Sequence, residues 1–129
     1  MSRRNKIIYW ISTAWLALGM VSTGLVQVLR QAESVEMIVA LGYPEYLMTI
    51  VGVAKLLGVP FILLPGVPLL KEWAYAGFFF LMAGAIVSHL AAGAPQDMFP
   101  ALLLLILTVL SWHLRPPQRK LTPVKTQLT

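Results

Sequence analysis

Residues 46–64 read YLMTIVGVAKLLGVPFILL, nineteen positions with one charged side chain, Lys55. A helix rises about 1.5 Å per residue and a bilayer's hydrocarbon core is about 30 Å thick, so about twenty apolar residues cross it once. Three further stretches meet the same condition: Ile7 to Val28, Trp73 to Ala92, and Met98 to Leu114. Each is expected to be a helix, because a lone span in lipid must satisfy its own backbone N–H and C=O groups. The expected fold is an all-α membrane protein, an antiparallel bundle of four transmembrane helices.

Composition agrees. Of 129 residues, 58% are apolar and 12% charged. A soluble domain is about a quarter charged, and so short a chain could not hide this much apolar surface from water. Gly42-Tyr43-Pro44-Glu45 reads as a helix start and Pro65-Gly66-Val67-Pro68 as a tight break. Gly93-Ala94-Pro95-Gln96-Asp97 separates the last two spans, with Asp97 expected to cap the final helix. Gln31 to Leu41 has the length and amphipathic pattern of a short interfacial helix on the outer side. Residues 1–114 form one bundle domain on this reading. Residues 115–129 form a basic, proline-containing cytoplasmic tail, expected to be disordered.

Eight of the ten basic residues fall on one side of alternating spans: Arg3, Arg4, Lys6, Lys71, Arg115, Arg119, Lys120 and Lys125. Arg30, Glu33, Glu36, Glu45 and Asp97 fall on the other. The positive-inside rule then places both termini in the cytoplasm. It also accounts for the net charge of +5 without a nucleic-acid partner. Small residues are densest in the third span, at Ala76, Gly77, Ala83, Gly84 and Ser88, which argues for that span at the bundle's centre. Such faces also permit a homo-oligomer.

The chain has no cysteine, which removes disulfides, thiolate nucleophiles and Cys-ligated metals. With only His89 and His113 as histidines, no metal is expected. Lys55 carries the most information, since a charge at mid-membrane costs about 2.5–3.5 kcal/mol on insertion scales. Two readings stay open: an amine facing a cavity, or a snorkelling lysine bonded in a packed interface. Glu45 opens the second span, where a helix N-terminus favours a carboxylate, or else it walls a polar pocket. His89, one turn from the outer end of the third span, and Gln27, at the outer end of the first, are candidates for the same pocket. Gly52, three residues before Lys55, would leave room for a ligand or for another helix. The candidate ligand-binding set is therefore Gln27, Glu45, Gly52, Lys55 and His89.

Leu41-Gly42-Tyr43-Pro44-Glu45-Tyr46-Leu47, Gly52-Val53-Ala54-Lys55-Leu56-Leu57-Gly58, Leu70-Lys71-Glu72-Trp73-Ala74-Tyr75-Ala76-Gly77-Phe78, and Gly84-Ala85 with Ser88-His89 together resemble the DoxX-like family. The resemblance implies a four-helix bacterial membrane protein, in a group where many members lack an assigned activity. Its namesake branch includes subunits associated with thiosulfate:quinone oxidoreductase, and distant eukaryotic relatives include an assembly chaperone for nicotinic receptors. The resemblance supplies no catalytic assignment. Three functions follow from it and from the residues: an accessory subunit of a membrane redox system holding a quinone or other small amphiphile, an assembly factor docking a partner membrane protein, or a small transporter or proton pathway. No nucleophile–base pair and no phosphate loop appears, so an enzyme acting alone is not expected.

Overall fold

Four of the helices are set by apolar length and ended by recognisable stops. The computed structural model describes residues 2–116; the expected tail lies almost wholly outside them. Helix α1 runs Arg3–Val28, α2 Ala32–Ala40, α3 Tyr46–Leu63 and α4 Pro68–Ala91, and a 3-10 turn at Pro95–Met98 leads into α5, Phe99–His113. Among the described residues there is no strand. Helices α1, α3 and α4, and α5 together with its preceding turn, are long and apolar enough to cross a membrane. At the side where α1 ends, α1, α2 and α4 all finish in one kind of turn. Its left-handed residue is Gly42 after α2 and Gly93 after α4, but Arg30 (φ 54°) after α1. Gln31 N–H closes that turn on the Val26 carbonyl, as Tyr43 does on Ile38 and Ala94 on His89.

α1 packs against α3 and α5, and α4 closes the ring against the same two, so α1 lies diagonally across from α4. One end of the bundle, the terminal face, carries the start of α1, the α3–α4 break and the end of α5. The other, the lid face, carries α2 and the 3-10 turn. Leu16, Met20, Val59, Ile62, Phe78, Met82, Leu104 and Leu107 fill the middle. The backbones approach most closely between α1 and α3: a Cβ on Gly52 would fall 2.8 Å from the Gly24 carbonyl oxygen. A Cβ on Gly58 would fall 2.6 Å from the Phe78 ring of α4. This corrects the expectation that small residues centre the third span. Gly77 and Gly84 of α4 have nothing within 4 Å and face outward.

The start of α4 is a second correction. The helix begins at Pro68, five residues before the apolar stretch that opens at Trp73, and so takes in Lys71. That side chain is fully buried, and its Nζ donates to the Phe61 carbonyl at 2.7 Å, near the end of α3. A cation at a helix C-terminus satisfies carbonyls that have no partner within the helix. Lys71 is thus a buried cap rather than a loop charge. Lys71→Met is expected to lower stability by about 1–3 kcal/mol, the cost of orphaning a buried acceptor. Thermal unfolding in detergent measures it, and a change within about 0.5 kcal/mol, the range of ordinary surface substitutions, contradicts the capping role.

Polar pairs tie the terminal half together, as expected where helices associate without a hydrophobic drive. Ser111 of α5 bonds Thr13 of α1 at 2.5 Å and Tyr75 of α4 at 2.7 Å. Glu72 pairs with Arg115 at 2.8 Å and accepts from Trp112 Nε1 at 2.9 Å.

Candidate functional site

Lys55 sits at the middle of α3, and helical side chains lean toward their N-terminus. Its stem therefore runs toward the lid face, where Nζ donates to Thr23 Oγ1 of α1 at 3.1 Å. Thr23 passes its own proton to the Gly19 carbonyl at 2.8 Å, so it accepts from the ammonium. Lys55 is 5% exposed. An ammonium has three donors, and Thr23 takes one of them.

The other donors face a cavity of about 360 Å³ in the lid-face half of the bundle. Its walls come from four helices and its roof from α2 and the 3-10 turn. Val26, Met37, Met82, Ala85, Ala101 and Leu104 make it largely apolar. Lys55 and Thr23 stand at its floor, Gln27 and His89 higher on its walls, and Ser34 and Asp97 at its mouth. Thr23 and Gln27 are four residues apart on α1, about 6 Å along the axis. The polar groups thus form two tiers, one helical turn apart.

The upper tier is unsatisfied. Gln27 Oε1 and His89 Nδ1 are both buried with no hydrogen-bond partner, and His89 is 6% exposed. Buried polar atoms nearly always have partners, so two orphans on opposite walls of one cavity mark a place for a ligand or ordered water.

Of the expected set, Gln27, Lys55 and His89 share this cavity, and Gly52 and Glu45 do not. Gly52 is occupied on its open side by the α1 backbone, so the room it leaves is for a helix. Glu45 is exposed just before α3 and bonds through its carbonyl to Met48 N–H. It makes no bond to His89. Asp97 does not cap α5 either: the cap position falls on Met98, with no side-chain bond, and Asp97 stands at the cavity mouth. Sequence reasoning passed over Thr23 and Ser34. Thr23 was legible in principle, since it shares a helix face with Gln27. No group of three His, Asp or Glu side chains comes together among the described residues.

A second concavity, of about 440 Å³, lies between α4 and α5 toward the terminal face, lined by Ala76, Phe79, Phe80 and Val109 with Glu72 and Trp112 at its end. Its polar side chains are engaged: Trp112 donates to Glu72, which is ion-paired with Arg115, while Tyr75 bonds Ser111 and Thr108 donates to the Leu104 carbonyl.

Four apolar spans around a half-depth cavity with a lysine at its floor define a small polytopic membrane protein with a cavity between its helices. The chain belongs to the DoxX-like family, whose sequence profile matches residues 11–111. No curated protein and no solved structure matches it.

Proposed function

We propose that the cavity holds the head of a small amphiphile bearing oxygens on opposite edges of one ring, a quinone-type molecule, and that the chain serves as an accessory subunit of a membrane redox system. The observation that carries this is the pair of tiers: ammonium donors of Lys55 below, orphaned His89 Nδ1 and Gln27 Oε1 one turn above. Opposite oxygens of a six-membered ring lie roughly 5 Å apart, of the order of one helical turn. An imidazole nitrogen can donate to a carbonyl oxygen or accept from a hydroxyl. Gln27 Oε1 accepts a hydroxyl proton, so the upper tier suits a quinol as well as a quinone. The volume and mostly apolar lining are those of a small-molecule pocket with a few orienting groups.

On this reading both termini lie in the cytoplasm of a bacterial inner membrane and the cavity opens in the outer half. Arg3, Arg4, Lys6 and Arg115 at the terminal face support that orientation. α2 lies at the outer interface. Residues 1–114 act as one unit and 115–129 as a tail.

Quinone added to the protein in lipid nanodiscs is the test, read by native mass spectrometry. A one-to-one adduct retained by the wild type and lost in His89→Phe is expected. A protein that carries no quinone, yet holds a stable partner protein, would favour the assembly-factor reading instead. The outward Gly77 and Gly84 of α4, open to a neighbouring helix, support that second reading. Transport has less support. Leu16, Met20, Phe78, Met82 and Leu104 form an apolar layer between the cavity and the Thr13–Ser111–Tyr75 cluster.

A further inference from the structure

The cavity's flank between α1 and α5 is open. These helices are tightest at Gly19, where a Cβ would fall 2.6 Å from Leu104 Cδ2. One turn nearer the lid face they present Ser22, Val26 and Pro100. All three line the cavity and all three are also exposed on the outside of the bundle. Residues that belong to an interior wall and an outer flank at once mark an opening through that flank. The lip is small, because Ser22 is short, and it seeks no water, because its hydroxyl already donates to the Leu18 carbonyl at 2.7 Å. Below the opening the outer surface continues apolar, through the exposed Leu18, Trp15 and Leu103.

Met37 and Asp97 at the lid-face mouth are also both lining and exposed, but the roof above them is braced. The segment bearing α2 is held at its start by Arg30, whose Nε and Nη2 donate to Thr49 Oγ1 at 3.3 and 3.2 Å. It is held at its end by Tyr43, whose hydroxyl donates to Ser88 Oγ at 2.7 Å; Ser88 in turn donates to the Gly84 carbonyl.

We propose that the gap bounded by Ser22, Val26 and Pro100 is a lateral portal, and that the ligand is a chain-bearing amphiphile. It is admitted head first from the surrounding leaflet, and its hydrocarbon chain stays outside along α1 and α5. This rests on the cavity's reading as a head-group site and adds the ligand class and the route. A solute dissolved in water would have to enter at the lid-face mouth, past Ser34 and Asp97 and under the braced roof. A solute dissolved in lipid has only to slide past Ser22.

Two measurements test it. The first compares a decyl-substituted benzoquinone with the same ring bearing only a methyl group, with affinities referred to the concentration in the bilayer. With the bilayer as reference the two are expected to bind the wild type within about threefold, because the decyl chain stays in hydrocarbon and the portal lets the head enter with the chain attached. Ser22→Trp is expected to weaken the decyl compound at least about tenfold and the methyl compound less than about twofold. A wild type that binds the methyl compound but binds the decyl compound at least about tenfold more weakly, or equal losses for both in Ser22→Trp, overturns the portal.

The second needs no ligand and exploits the absence of native cysteine. Ala85→Cys places a thiol in the cavity wall. In vesicles, a long-chain maleimide dissolved in the bilayer is expected to label it at least about tenfold faster than a membrane-impermeant sulfonated maleimide, with that advantage lost in the Ser22→Trp background. Faster labelling by the impermeant reagent overturns the portal, because the cavity then opens to water beneath α2. Portal-dependent labelling in a protein that binds neither quinone upholds the route and refutes the head-group reading.

Discussion

Gly52→Val is expected to abolish the folded bundle, while Gly77→Val in the neighbouring helix α4 leaves it intact. At Gly52 the first added carbon meets the Gly24 carbonyl oxygen at 2.8 Å, Val28 Cγ2 at 2.8 Å and the Val28 backbone nitrogen at 3.1 Å. Two of those atoms are helix backbone and cannot rotate away, so α1 and α3 must separate. Overfilling a packed site ordinarily costs about 1–3 kcal/mol where side chains can adjust. Here the adjustment is a rigid shift of the bundle's closest helix pair. The loss is expected at or above the top of that range, against a total stability of about 5–15 kcal/mol for a typical domain. In lipid the consequence is sharper still, since close backbone contact is itself what holds helices together. The damage also reaches the cavity, because moving α3 off α1 draws Lys55 away from Thr23. Gly77 has open space around it, so valine there is expected to cost no more than about 1 kcal/mol, the ordinary surface range plus any change in helix propensity. Monodisperse yield on size exclusion and thermal unfolding in one detergent compare the two. A Gly52→Val protein that melts with the wild type contradicts the packing described.

The four spans were legible because length and apolarity alone decide them. What escaped was the meaning of residues whose type fits two environments. Lys71 looks the same in sequence whether water or helix carbonyls surround its ammonium. Taking the first option set Lys71 between the spans. Gly52 leaves room without saying for what, and a spacing of three from Lys55 puts it near that face but not on it. It serves α1, while Lys55 serves the cavity. Gln27 and His89 were grouped by depth, since polar side chains near a span's outer end need a reason to be there, and both line the cavity. Glu45 failed the same argument by one residue, because α3 starts at Tyr46 and leaves it in water. Asp97 and Ser34 came to the mouth through a 3-10 turn and a short helix whose paths no periodicity fixes. The small residues of α4 point outward for a related reason. A small-residue pattern shows that a backbone can be approached, and only the fold shows which neighbour does so.

Lys55→Met is expected to act in opposite directions on stability and on binding. Methionine matches the lysine stem in length and fits an apolar wall. Removing the ammonium relieves a mid-membrane charge of about 2.5–3.5 kcal/mol on insertion scales. It forfeits one bond to Thr23, worth about 1.5–3 kcal/mol for a charged donor. The balance is stability unchanged or raised by up to about 2 kcal/mol, seen as an equal or higher melting temperature in detergent. Binding of a quinone-type head should fall at least about tenfold, since the lower tier loses every donor and only the Gln27–His89 tier remains. Thr23→Val separates the ammonium from its anchor. It should spare most of the affinity, because Lys55 keeps its donors and gains freedom to aim them. A side chain whose removal stabilises the protein and disables its site is held there by function. Should Lys55→Met instead melt well below the wild type and bind quinone undiminished, the lysine would be a structural strut between α1 and α3, and the lower tier would have no part in the site.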